Sequence, residues 1–126
     1  MDRRMRVLIV DDDPEILTQL RWALQDEFDL LVAGSPAEAE SILRGQEPPE
    51  AALVDLHLPP DTSSIDGGIS LIQSLRSASE ETRIIAFSAH QSDEAQRLSR
   101  SAGARVLLNK PVRRGTLLHL LRTTMD

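Results

Sequence analysis

Short apolar runs alternate along the chain with stretches in which apolar residues recur at helical spacing. Arg6–Val10 (RVLIV) is β-branched and stops at Asp11-Asp12-Asp13-Pro14, which predicts a buried strand. Ile16, Leu17, Leu20, Ala23 and Leu24 then fall on one helical face, with Asp13 as N-cap and Pro14 at the first helical position. Phe28–Ala33 (FDLLVA) reads as a second strand. Ser35-Pro36-Ala37-Glu38 is a capping box for a helix carrying Ala39, Ile42 and Leu43, which Gly45 can end. Ala51–Val54 is a third strand that stops at Asp55, and Asp55–Gly68 (DLHLPPDTSSIDGG) is turn chemistry throughout. Ile69, Leu71, Ile72 and Leu75 mark a third helix. Arg83–Phe87 (RIIAF) is a fourth strand ending at Ser88. Ser92 can cap a fourth helix whose apolar face, Ala95, Leu98 and Ala102, is thin. Arg105–Leu108 is a fifth strand, and Leu117, Leu118, Leu121 and Met125 line a last helix.

Strands that are continuously apolar, each followed by a helix, belong to a parallel sheet covered on both faces, because right-handed crossovers put helices there. The expected fold is α/β, a doubly wound five-stranded parallel sheet with helices on both faces. The 126 residues suit a single domain, 1–126, without repeats, low-complexity tracts or linkers. In such sheets ligands bind outside the carboxyl ends of the strands. The residues standing there are Asp11 and Asp12 after the first strand, Asp55 after the third, Ser88 after the fourth and Lys110 after the fifth.

Composition narrows the chemistry. At 40% hydrophobic and 27% charged, the chain is an ordinary globular one, and zero cysteines exclude disulfides, a thiol nucleophile and Cys-ligated metals. A net charge of −6, from 14 basic and 20 acidic residues, argues against gripping a phosphate backbone, so no direct nucleic-acid contact is expected. The apolar run before Asp11 is too short for a signal peptide or membrane span, so a cytoplasmic protein without membrane contact is expected. Lys110 is the one lysine among those basic residues. Three carboxylates on one rim repel each other and call for a cation, and all-oxygen ligands suit Mg²⁺. With an ammonium and a hydroxyl added, the set can bind a phosphoryl group, and an aspartate can be the nucleophile.

With these residues in view, the chain resembles the receiver domain of bacterial two-component response regulators, a flavodoxin-like fold. The matching strings are VLIVDDDPEI (Val7–Ile16), LVDLHLPP (Leu53–Pro60), IDGG (Ile65–Gly68), IIAFSAH (Ile84–His90) and AGARVLLNKPV (Ala102–Val112). The resemblance implies that Asp55 accepts a phosphoryl group from a phosphohistidine on a sensor histidine kinase. It implies that Asp12, Asp55 and the backbone carbonyl of His57 ligate Mg²⁺, with Asp11 holding a metal-bound water. Lys110 would pair with the phosphoryl group, Ser88 would move toward it, and the Lys110–Pro111 bond would be cis. Receivers of this kind are signalling switches rather than metabolic enzymes. The surface around the fourth helix, fifth strand and last helix would change on phosphorylation, mediate receiver–receiver homodimers and control an output such as transcription. A looser resemblance, carried by the long loop and the string Leu20–Leu24, is to receivers attached to AAA+ enhancer-binding activators.

Three departures stand out. The spacing from Asp55 to Asp66-Gly67 is longer than is usual in the family, so the segment PPDTSS should project beside the site and touch the kinase. Leu107 occupies a position that is often Tyr or Phe and so cannot act as an aromatic lever. His57 and His90 each sit two residues after a site residue, at positions that in this family face the phosphoryl group and influence how fast water removes it. Trp22, off the main stripe of its helix, should pack partly on the surface; Leu120 could be extra core or a dimer surface; Gly67-Gly68 should serve backbone geometry. Two rival functions remain: a Mg²⁺-dependent phosphohydrolase of haloacid dehalogenase type using Asp11 and Asp13, and a phosphorylation-independent scaffold.

Overall fold

The computed structural model describes residues 3–123. In chain order the elements are β1 (Met5–Val10), α1 (Pro14–Leu24), β2 (Phe28–Ala33), α2 (Pro36–Leu43), β3 (Ala51–Asp55), α3 (Asp66–Ala78), β4 (Arg83–Ser88), α4 (Asp93–Ala102), β5 (Val106–Asn109) and α5 (Arg114–Thr123). Met125, expected on the last helix, lies outside the described residues. All strand pairs are parallel, in the order β2-β1-β3-β4-β5, as the continuously apolar strands predict. The chain reverses its direction of travel across the sheet between β1 and β3, and a crevice opens there at the carboxyl ends of the strands.

Each sheet face has its own core. Leu8, Val10, Ala52, Val54, Ile84 and Ala86 point to the side covered by α2, α3 and α4. Val7, Ile9, Leu53, Ile85 and Phe87 point to the side covered by α1 and α5. Every residue of β3 is buried, so Asp55 is reached only through its carboxyl end. Three helices, α1, α2 and α4, start where side chains cap them. Asp13 accepts a hydrogen bond from the Glu15 amide, Ser35 from that of Glu38 and Ser92 from that of Ala95. In the capping box Glu38 Oε1 reaches back to the Gly34 amide, at 3.0 Å, and not to Ser35. Gly45 follows α2 at φ +73°, a conformation open to glycine at no steric cost.

Four local readings are corrected. The segment after Asp55 is turn and bend as far as Ile65, but Asp66–Gly68 already belong to α3, and Leu56 and Leu58 are buried in the core. The buried face of α4 is Ala95, Ser99 and Ala102, and Leu98 is half-exposed. Ser99 can be buried because its hydroxyl donates to the Gln96 carbonyl at 3.2 Å, which satisfies it within the helix. Trp22 is 74% exposed on the outer side of α1, so it does not pack as expected. The strand β5 runs one residue later than its apolar run, Val106–Asn109. Leu120 is half-buried against the α1–α5 core.

The glycine pair behaves as expected of backbone geometry. A Cβ on Gly68 would lie 2.4 Å from Leu56 Cα and 2.6 Å from the Asp55 carbonyl oxygen. Glycine therefore lets the start of α3 press against the end of β3, where the Gly68 amide donates to the Leu56 carbonyl at 3.1 Å.

Candidate functional site

Every predicted site residue sits at the carboxyl rim, and four strand ends deliver them. Asp11 and Asp12 follow β1, Asp55 and Ser88 are the last residues of β3 and β4, and Lys110 follows β5. Carboxylate oxygens of Asp11, Asp12 and Asp55 all lie within 4.8 Å of one another. The adjoining cleft, of about 460 Å³, is lined by Asp12, Asp55, His57, Thr62, His90 and Lys110 among others.

Asp11 is fully buried, Asp55 nearly so, and Asp12 exposed at the mouth. Asp11 Oδ1 accepts the Asp13 amide at 2.9 Å, and its Oδ2 lies 2.8 Å from Lys110 Nζ. Beyond that ion pair no partner of Oδ2 is found among the described residues. Asp55 Oδ1 accepts the His57 amide at 3.1 Å, and Oδ2 pairs with Lys110 Nζ at 3.2 Å. The Lys110 ammonium also lies over the Phe87 ring, 5.3 Å from its centroid, within cation–π range. The Lys110 amide donates to the Ser88 carbonyl at 3.0 Å, and the Lys110–Pro111 bond is cis as expected. A second cis bond, Pro59–Pro60, lies in the long loop.

Charge at this rim is unbalanced. Burial first, and the neighbouring Asp11 charge second, push the Asp55 carboxyl up from 3.8 to about 6, against the opposing pull of Lys110 and the His57 amide. Burial disfavours the Lys110 ammonium, yet contacts with Asp11 and Asp55 outweigh it and hold its pKa above the ordinary lysine value. One ammonium thus faces three carboxylates. An oxygen-only donor set whose negative charge exceeds what one ammonium neutralises suits a hard divalent cation.

Ser88 is fully buried. Its hydroxyl donates to the His90 carbonyl at 2.8 Å, accepts the His90 amide at 3.1 Å and lies 3.1 Å from His57 Nε2. The His57 and His90 rings stand edge to face at 6.4 Å. Sequence spacing placed both histidines beside the site, but the His57 contact with Ser88 spans 31 positions, and no local pattern encodes it. Leu107 is buried in the core, and its carbonyl is bonded instead by Gln91 Nε2 from the β4–α4 loop, at 3.0 Å. That glutamine carried no signal of its own in the sequence.

The sequence matches the response regulator receiver domain over residues 7–122. This chain belongs to that family. It is 36% identical over 120 residues to the sensor protein TorS of Escherichia coli, which covers 93% of this chain and 12% of TorS. Over 111 residues it is 31% identical to the alginate biosynthesis transcriptional regulatory protein AlgB of Pseudomonas putida, covering 87% of this chain and 23% of AlgB. The receiver thus spans less than a quarter of the length of these relatives. Among solved structures, a CheY-like receiver domain from Methanospirillum hungatei superposes with TM-score 0.88 at 26% identity, over 98% of this chain and 95% of that one.

Receiver domains of two-component systems are phosphorylation-dependent switches, and this one has their five-stranded sheet and acidic pocket. The phosphohydrolase alternative finds no support. The family is that of receivers, and Asp13, the second carboxylate such an enzyme would use, caps α1 through the Glu15 amide, at 2.9 Å. Among the described residues no helix is long and apolar enough to cross a membrane.

Proposed function

We propose that Asp55 is the phosphoryl acceptor of this receiver, with Lys110 and Ser88 as its phosphoryl-binding partners. The observation that carries the reading is the state of Asp55 itself. It is a buried carboxylate raised to about 6, still largely ionised at neutral pH, with Lys110 Nζ 3.2 Å away. A carboxylate of higher basicity is a better nucleophile, and at pH 7 it needs no general base. An Asp55 oxygen attacks phosphorus, its O–P bond forms as the N–P bond of a phosphohistidine breaks, and the electron pair returns to the leaving imidazole nitrogen. The donor is a sensor histidine kinase. A response regulator from Burkholderia pseudomallei, 28% identical with TM-score 0.82 over 94% of this chain and 67% of that one, was solved with a phosphorylated aspartic acid, which supports the choice of residue type.

Asp12, Asp55 and the backbone carbonyl of His57 would hold Mg²⁺, with Asp11 on a metal-bound water. Bound there, Mg²⁺ supplies positive charge for the incoming phosphoryl oxygens. Lys110 is placed to shift from the carboxylates to a phosphoryl oxygen, and the Ser88 hydroxyl to donate to another. The receiver then acts in the cytoplasm without touching nucleic acid or membrane, pairs with a second receiver through the α4–β5–α5 side and passes the signal to an output. Transcription is the favoured output, since AlgB and the Mycobacterium tuberculosis relative PrrA, 31% identical over 109 residues, are named transcriptional regulatory proteins.

Acetyl phosphate with Mg²⁺ should label the wild-type chain on Asp55, and Asp55→Asn should lose the label. Mapping the modified residue decides it. Labelling that survives in Asp55→Asn and disappears in Asp11→Asn would transfer the nucleophile role to Asp11.

A further inference from the structure

The single proton of the Ser88 hydroxyl faces two acceptors, the His90 carbonyl at 2.8 Å and His57 Nε2 at 3.1 Å. The other ring nitrogen of His57, Nδ1, lies 3.1 Å from the Thr62 carbonyl in the middle of the long loop. A carbonyl only accepts, so Nδ1 carries the ring proton, and a neutral ring then offers Nε2 as a bare acceptor to Ser88. Which nitrogen keeps the proton is set by the bond the other one makes. The imidazole is therefore held at both ends, by the hydroxyl after β4 and by the backbone of a loop beyond β3.

The loop depends on this contact. Among the described residues, the other hydrogen bonds of 59–64 are internal or reach only Asp66: Asp61 accepts from the Ser63 and Ser64 amides, and Ser64 Oγ accepts the Asp66 amide. His57 thus supplies the one hydrogen bond that ties this segment to the wall of the cleft.

We propose that His57 is a positioning residue that couples the Ser88 hydroxyl to the loop 59–64, making the loop a second phosphorylation-responsive surface. The proposal rests on the acceptor reading above. When the phosphoryl group draws Ser88 away, Nε2 loses its contact with the hydroxyl and the ring is held at the Thr62 end alone. A ring anchored at one end can turn about its side-chain bonds, which weakens the Nδ1–Thr62 bond and releases the loop. The signal leaves the site on the β3–α3 side, opposite in sequence to the β4–α4 loop and independent of any aromatic on β5.

The test uses the full 126-residue chain, with beryllofluoride and Mg²⁺ as the phosphoryl mimic, read by ¹⁵N imidazole spectra and amide exchange. The ligand-free chain should show His57 protonated on Nδ1. Loading should shift the His57 ring nitrogen signals and speed exchange at Ser63 and Ser64 about five-fold, the effect of one net hydrogen bond. His57→Leu should exchange that fast without ligand, whereas Thr62→Ala, which keeps the carbonyl, should match the wild type. A ligand-free His57 protonated on Nε2 overturns the coupling, as does a His57→Leu loop that exchanges like the wild type. If the Ser88 and His90 amides respond to beryllofluoride while the loop stays silent, the coupling alone falls. If Ser88 and His90 do not respond either, the acceptor reading falls and takes the coupling with it.

Discussion

Asp55 shows how the surroundings of one carboxylate make stability depend on pH. Unfolded, its carboxyl titrates near 3.8; folded and free of metal, burial and the Asp11 charge raise it to about 6. Between those values the folded state binds more protons than the unfolded one. The stability this group contributes is therefore full below about pH 4 and is lost as pH rises through about 6. Asp55→Asn is neutral at every pH and escapes the loss, although it also takes a partner from Lys110. In EDTA the variant should melt a few degrees above wild type at pH 7.5, roughly 1–2 kcal/mol, with the gap closing toward pH 4.5. Thermal melts at the two pH values check this. A variant less stable than wild type at pH 7.5 would mean that the Lys110 pair outweighs the repulsion among the carboxylates.

At the scale of elements, the approach of α3 to β3 positions Asp55, and Gly68 makes it possible. The atoms a Cβ would meet there belong to the backbone of Asp55 and Leu56, which cannot rotate aside. Gly68→Ala should cost about 3 kcal/mol in denaturant unfolding and, by moving the end of β3, also slow labelling of Asp55. An alanine variant of wild-type stability would show that α3 can shift along the sheet without disturbing the site. The fourth helix is the opposite case. Its buried face is made of Ala95, Ser99 and Ala102, so it holds the sheet through little apolar area and can move at small cost.

Across the whole molecule, the Ser88 end of the site continues through the β4–α4 loop to the edge of the sheet. Gln91 Nε2 donates to the Leu107 carbonyl on β5 at 3.0 Å, and Gln96 Nε2 donates to Gln91 Oε1 at 2.8 Å, tying loop, strand and α4 together. The proposed shift of Ser88 toward a phosphoryl group would pull on this loop and strain those bonds. Hydrogen exchange with and without beryllofluoride should therefore show altered protection across residues 92–112, the side proposed for pairing between receivers. A silent 92–112 with changes confined to 57–66 would assign the output to the long loop alone.

Periodicity, caps and strand ends, all written locally in the chain, determined the alternation of five strands and five helices, the N-caps Asp13, Ser35 and Ser92, and the five rim residues Asp11, Asp12, Asp55, Ser88 and Lys110. These are properties of neighbouring residues, set by backbone hydrogen bonding and by which side chains can face a core. Tertiary structure alone decided the rest. Leu56 and Leu58 look like loop residues until the sheet supplies a core beneath them, and Ser99 replaces Leu98 on the face that α4 buries against α3 and β5. The raised pKa of Asp55 and the bridge from Ser88 through His57 to Thr62 depend on burial and on contacts between strand ends far apart in sequence, where no local pattern records the distance.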